Sequence, residues 1–356
     1  MWLSAIKVID FTTLLPGPYA TLRLADLGAE IVKIEPPLGD TARHSGLKVA
    51  GTGVVFLANN RNKQSTVIDL KTEDGRAKAL SLTDGADVVI EGFRPGVMQK
   101  LGLDYDTVRR RNPGIVYCSL TGYGQTGPLA KFAGHDLNYA ALGGLISQLC
   151  DESGFPIQPT IQLADMLGGT VASEAILAAL VKREQTGKGS YLDVAITDAV
   201  TGLLTHHALI QQAFGMEHGL EELSGKLVCY HLYKTGDGQT VSLAALEPKF
   251  WRNFCHAIGR PEWIDLQFSK ATEGNPVFDQ LTALFLSQTL AEWTKLGMEV
   301  DCCLQPVWNV SQVLAGHQVK ARGTLMQVDS PTDGTLIQLD THAGGFKPDK
   351  LGRELT

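Results

Sequence analysis

The chain has 356 residues, 44% hydrophobic and 19% charged, which is long enough for two domains and too apolar for extended disorder. Its net charge of −7 argues against nucleic acid or an anionic membrane as partner, so an anionic ligand would need a local cationic pocket. The six cysteines include no CxxC pair and match neither a zinc site nor a disulfide framework.

The first residues read directly as a strand rather than as a signal peptide, and no apolar run is expected to reach the ~18–20 residues of a membrane span. A cytoplasmic protein without metal is the expectation.

Strands and helices alternate through the first half of the chain. Ala5–Phe11 (AIKVIDF) reads as a strand, and Leu14–Ala29 opens on Pro-Gly-Pro and continues with helical spacing. EIVKIE, STVIDL, DVVIEGF and GIVYCSL read as further strands. The segments between them, KTEDGRAKALSLTDGA, PGVMQKLGL and DYDTVRRRN, read as helices. Such alternation predicts βαβ units: an α/β fold with a parallel sheet covered on both faces.

A long helix is expected through LGGTVASEAILAALVKREQTG and an apolar one through GLLTHHALIQQAFG. Tyr230–Leu246 alternates like a hairpin around Gly236-Asp237-Gly238, and PKFWRNFCHAIGRPEWI and NPVFDQLTALFLSQTLAEWTKL read as amphipathic helices. These place a smaller α+β domain at 223–310. The large domain is expected at 1–195, completed by 326–356, with linkers at 196–222 and 311–325.

TGYGQTGP, after a strand, lies where α/β sheets bind ligands, but it is neither GxGxxG nor a phosphate-loop pattern. His135 and Asp136 follow it. A lone histidine is more often structural than catalytic. Asp165 in QLADMLGG suits a helix N-cap, or else a carboxylate facing a substrate that lies against Gly168-Gly169. Glu247 before Pro248 suits a helix start. Arg43, Arg61, Lys63 and Arg94 are the cations placed in turns after strands.

Taken in order, LLPGPYATLRLADLGAEIVKIEPP, NRNKQSTVIDLK, EGFRPGVMQKLGLDY, NPGIVYCSLTGYGQTGP, AGHDLNY, QLADMLGG, LDVAITDA and LEPKFW resemble the family III CoA-transferases of CaiB/BaiF type. That group includes α-methylacyl-CoA racemase. The resemblance implies a large Rossmann-like domain, a small domain and an interlocked homodimer. It also implies coenzyme A as part of the substrate, with no tightly bound cofactor.

The resemblance further implies CoA contacts at Val67, Ile68, Asp69, Leu70 and Arg94, and around Ala133, Gly134, Asp136, Asn138 and Tyr139. Pro36 stands where the family often has an arginine, and Arg43 is the candidate replacement.

Two reactions remain open. In a racemase-like enzyme, His135 and Asp165 would exchange an α-proton across a 2-methylacyl-CoA. Glu247 would orient the histidine, and backbone N–H groups near Gly168-Gly169 would hold the enolate. In a transferase, Asp165 would be the nucleophile and carry CoA as an aspartyl thioester between two acids. The stretch GDTARHSGLKVAGTGVVFLANNRNK is longer than in the racemases, and LSGKLVCYHLYKTGDG lacks their Asn-Met-Leu-Asp-Gly-Gly run. A non-catalytic CoA-thioester-binding protein is the third possibility.

Overall fold

The computed structural model describes residues 1–151, 153–330 and 334–342. The chain divides into two compact units, Met1–Thr205 with His317–Thr356, and His206–Gly316. Of the 326–356 segment assigned to the large domain, 331–333 and 343–356 lie outside the described residues.

The first unit is built on six parallel strands: β1 (Lys7–Asp10), β2 (Glu30–Glu35), β3 (Lys63–Val67), β4 (Val88–Glu91), β5 (Val116–Thr121) and β6 (Ser190–Ala195). Their order is β3-β2-β1-β4-β5-β6. The chain first runs outward from β1 in one direction, then returns to lay β4 on its other side. Between β1 and β4 the connections therefore leave toward opposite edges, and the loops beyond the two strand ends part to open a crevice.

The helices that cover the sheet begin with α1 (Pro16–Asp26), which carries proline at its start, where a missing N–H costs nothing. α2 (Glu73–Thr83) is capped by Thr72, and α3 (Tyr105–Arg111) by Asp104. α4 (Asp136–Leu142) leads toward α5 (Leu163–Thr186), and α6 (Ile196–Gly202) follows β6. One core lies beneath α1 and α5, with Val8, Ile90, Val116 and Ile176 fully buried; the other lies on the opposite face around Ile9, Val89 and Tyr117. Alternate residues of a strand face opposite sides, which is why neighbours such as Val8 and Ile9 serve different cores.

α5 is long and apolar enough to cross a membrane, contrary to the expectation that no such run exists. Its apolar positions Ala172, Ile176, Ala179 and Leu180 are buried in the first core.

The end of the chain folds back within this unit. A hairpin of β10 (Leu325–Ser330) and β11 (Gly334–Leu339), read only as a polar tail, is held by Arg61, which donates to Asp26, to the Gln338 side chain (2.6 Å) and to the Leu339 carbonyl (3.0 Å).

The second unit has an antiparallel sheet ordered β9-β8-β7, with β7 (Tyr230–Lys234), β8 (Thr240–Ala244) and β9 (Leu304–Pro306). Over it pack α8 (Pro248–Ala257), α9 (Pro276–Leu286) and α10 (Leu290–Glu299), around buried Trp251, Phe254, Phe285 and Trp293. The apolar pattern 275–296 is two helices, because Thr289 and Glu292 form a capping box that starts α10 afresh. The expected linker 196–222 holds α6 and α7 (Thr205–Phe214).

Candidate active site

A cavity of about 390 Å³ opens at the β1/β4 crevice. It is bounded by Phe11–Leu14 after β1, Gly92–Pro95 after β4, Leu120–Tyr123 at the end of β5 and just beyond it, and the start of α1. Ala133, Gly134, His135, Tyr139 and Asp165 complete it. Sequence segments more than 150 positions apart thus meet at the carboxyl ends of the strands.

Asp165 is not a helix cap. Gln162 occupies that position and Asp165 is the third residue of α5. Its own N–H is capped instead by Asp136, whose Oδ1 accepts it at 3.0 Å. The carboxylate has no hydrogen-bond or ion-pair partner among the described residues. Burial, and then the Asp136 charge, push it up from an ordinary 3.8 to about 7. Asp136, expected to touch CoA, is therefore the neighbour that holds the backbone of Asp165 and tunes its carboxyl. The sequence could not show this, because the two residues are 29 positions apart.

His135 is exposed, precedes α4, and lines the cavity. Its N–H donates to Asn138 Oδ1 (3.0 Å), so Asn138 fixes the start of the helix. The Tyr139 hydroxyl donates to the Gly134 carbonyl at 2.5 Å and closes the same turn. Burial first, then the Asp165 charge, push the Tyr139 phenol up to about 12, with Arg94 opposing. A Cβ on Gly122 would stand 2.2 Å from the Tyr139 ring, so glycine there is a packing requirement.

Gly168 and Gly169 do not supply free donors. Both lie inside α5, where an N–H bonds to the carbonyl four residues earlier. They allow close packing: a Cβ would meet Ile196 at 2.8 Å from Gly168 and the Pro16 carbonyl at 2.5 Å from Gly169. Gly17, in the first turn of α1, also lines the cavity, and a first-turn N–H has no partner within its helix.

Arg94 is exposed and lines the cavity, and among the described residues its guanidinium makes no hydrogen bond or ion pair. Arg43 is committed: it grips Glu35 with two bonds (2.8 and 2.7 Å), touches Ser65 Oγ at 3.2 Å and lies over the Phe56 ring. Burial alone would raise the Glu35 carboxyl, but Arg43, Ser65 and the Asp40 N–H outweigh it and hold it at about 2.

Val67 is exposed at the end of edge strand β3. Ile68 is buried, its N–H donated to the Glu35 carbonyl, and Leu70 packs on the same core, so neither presents its side chain. Asp69 bonds the Lys71 N–H. Glu247 belongs to the second unit, exposed at the N-cap of α8 without a cap bond of its own. Sequence reasoning named Asp136 only as a CoA contact and did not single out Leu14: a charge pair between distant segments and a left-handed backbone leave no local pattern.

The family model for CoA-transferase family III matches residues 3–349. The chain belongs to CoA-transferase family III. It is 33% identical over 344 residues to the succinyl-CoA:glutarate CoA-transferase of Homo sapiens, spanning 94% of this chain and 78% of that protein. To the alpha-methylacyl-CoA racemase of Homo sapiens it is 31% identical over 364 residues, spanning 100% and 92%. A crystal structure of a CaiB/BaiF family protein from Brucella suis matches with a TM-score of 0.81 at 30% identity, covering 97% and 92%. This family III chain thus belongs to a family of enzymes acting on CoA substrates, whose relatives bear both transferase and racemase names.

Proposed function

We propose that the chain catalyses racemase-like proton transfer at the α-carbon of a 2-methylacyl-CoA. The observation that carries this is Asp165: a carboxyl standing at about 7 in a cavity it shares with His135. A group near the working pH is populated in both protonation states, so it can serve as acid in one direction and base in the other.

In one direction, neutral His135 takes the α-proton and an enolate forms, its negative oxygen facing the Gly17 N–H. Protonated Asp165 then returns a proton to the opposite face. The result is the other enantiomer, a cationic His135 and an ionised Asp165, which run the reaction in reverse. Arg94 offers its cation to the anionic CoA moiety. The orienting role of Glu247 rests on the family resemblance alone, since Glu247 belongs to the second unit.

The second reading, CoA transfer between carboxylic acids, is favoured by the lack of any hydrogen-bond partner on Asp165, which leaves its oxygens open to attack a thioester. The anhydride formed would then take back CoA as an aspartyl thioester. We also infer a homodimer, because α7 has no buried residue and exposes Leu209 (64%) and Phe214 (75%).

The deciding experiment is incubation of a single enantiomer of 2-methylacyl-CoA in D₂O without added acid. Deuterium at the α-carbon, lost in His135→Ala and Asp165→Asn, supports the racemase. No exchange, together with hydroxylamine trapping of acylated Asp165, assigns the transferase.

A further inference from the structure

Leu14 has φ +66°, in the left-handed region that L-residues other than asparagine and aspartate seldom adopt. Core packing does not explain it, since Leu14 is 41% exposed and lines the cavity that holds Asp165 and His135. What holds the loop lies beneath it. The Leu14 N–H donates to Asp40 Oδ1 (3.2 Å), and Lys33 Nζ binds both the Thr12 carbonyl (2.7 Å) and Asp40 Oδ2 (2.9 Å). The Thr12 N–H and hydroxyl both donate to Asp10 Oδ1, and Lys63 Nζ stands 3.6 Å from Asp10 Oδ2.

Asp10, Lys33, Asp40 and Lys63 are all 2% exposed or less. Four buried charges add little stability over apolar side chains of the same shape, whereas they specify one conformation. Here that conformation is a left-handed turn at an apolar residue that lines the cavity. Strain that the surroundings enforce in this way points to function.

We propose that Leu14 is the residue that selects the acyl chain, its isobutyl group limiting the bulk accepted beside the thioester. The proposal rests on the acyl-CoA reading above. With Phe93 and Phe132 also lining the cavity, the group it measures is a hydrocarbon chain.

The test compares kcat/KM for 2-methylbutanoyl-CoA and 2-methyldodecanoyl-CoA, with turnover read as deuterium uptake or as CoA transfer. Leu14→Gly suits a positive φ and keeps the fold, and should raise the long-to-short ratio by about 10-fold or more, as a few methylenes do in an apolar pocket. Leu14→Phe should lower the ratio. Ratios unchanged in both folded variants overturn the proposal. Asp165→Asn separates the two claims: if it abolishes turnover while Leu14→Gly moves nothing, the site reading stands and only this inference falls. If Asp165→Asn retains turnover, both fall.

Discussion

Asp136→Asn isolates the electrostatics of the site. The substitution keeps an oxygen that can accept the Asp165 N–H, now 3.0 Å from Asp136 Oδ1, and removes one negative charge. Asp165 stands at about 7 against an ordinary 3.8, a difference of about 3. Burial is the larger of its two causes, so the Asp136 charge accounts for at most about 1.5 pH units, or ~2 kcal/mol.

Two consequences follow for Asp136→Asn. The limb of the pH–rate profile that reports Asp165 should move down by about 1 pH unit, read as α-proton exchange between pH 5 and 9. Stability should change in step. A carboxyl raised in the folded state contributes most below its unfolded value of 3.8, and that contribution is lost as pH rises toward about 7. The variant should therefore be more stable than the parent by about 1–2 kcal/mol at pH 8, and nearly equal to it at pH 5, by urea denaturation. An unmoved limb in a variant whose Asp165→Asn derivative is dead would refute the idea that Asp136 tunes the carboxyl.

Gly122→Ala drives a methyl into the Tyr139 ring and should cost about 1–3 kcal/mol, measured by denaturation, with turnover falling as the 134–139 turn shifts. Arg43→Ala removes the cation that holds Glu35 at about 2. Glu35 contributes stability above its unfolded value of 4.5 that is lost as pH falls toward 2, so the variant should lose about 2–3 kcal/mol at pH 7 and little at pH 2.

Much of this protein is written locally. The βαβ alternation, the proline-led start of α1 and the place of TGYGQTGP beyond a strand all follow from periodicity and turn chemistry. So does His135 as a candidate, because glycine-rich turns after strands lie where such sheets bind ligands, whereas Asp165 suited a helix cap as well as a catalyst until the family resemblance favoured the second. Three-residue β9 and the hairpin β10–β11 carried too little pattern to be seen, since short strands depend on their partners.

What the sequence determined by itself is the family, the fold class and the residue types of the site. Only the tertiary structure decided what those residues do to one another. It made Asp136 the neighbour of Asp165, took Gly168 and Gly169 out of the chemistry and into helix packing, and set Leu14 in a left-handed turn above four buried charges. These are effects of distance and dielectric between segments far apart in the chain. A local pattern encodes which groups a segment offers, whereas their ionisation and strain depend on what the fold presses against them.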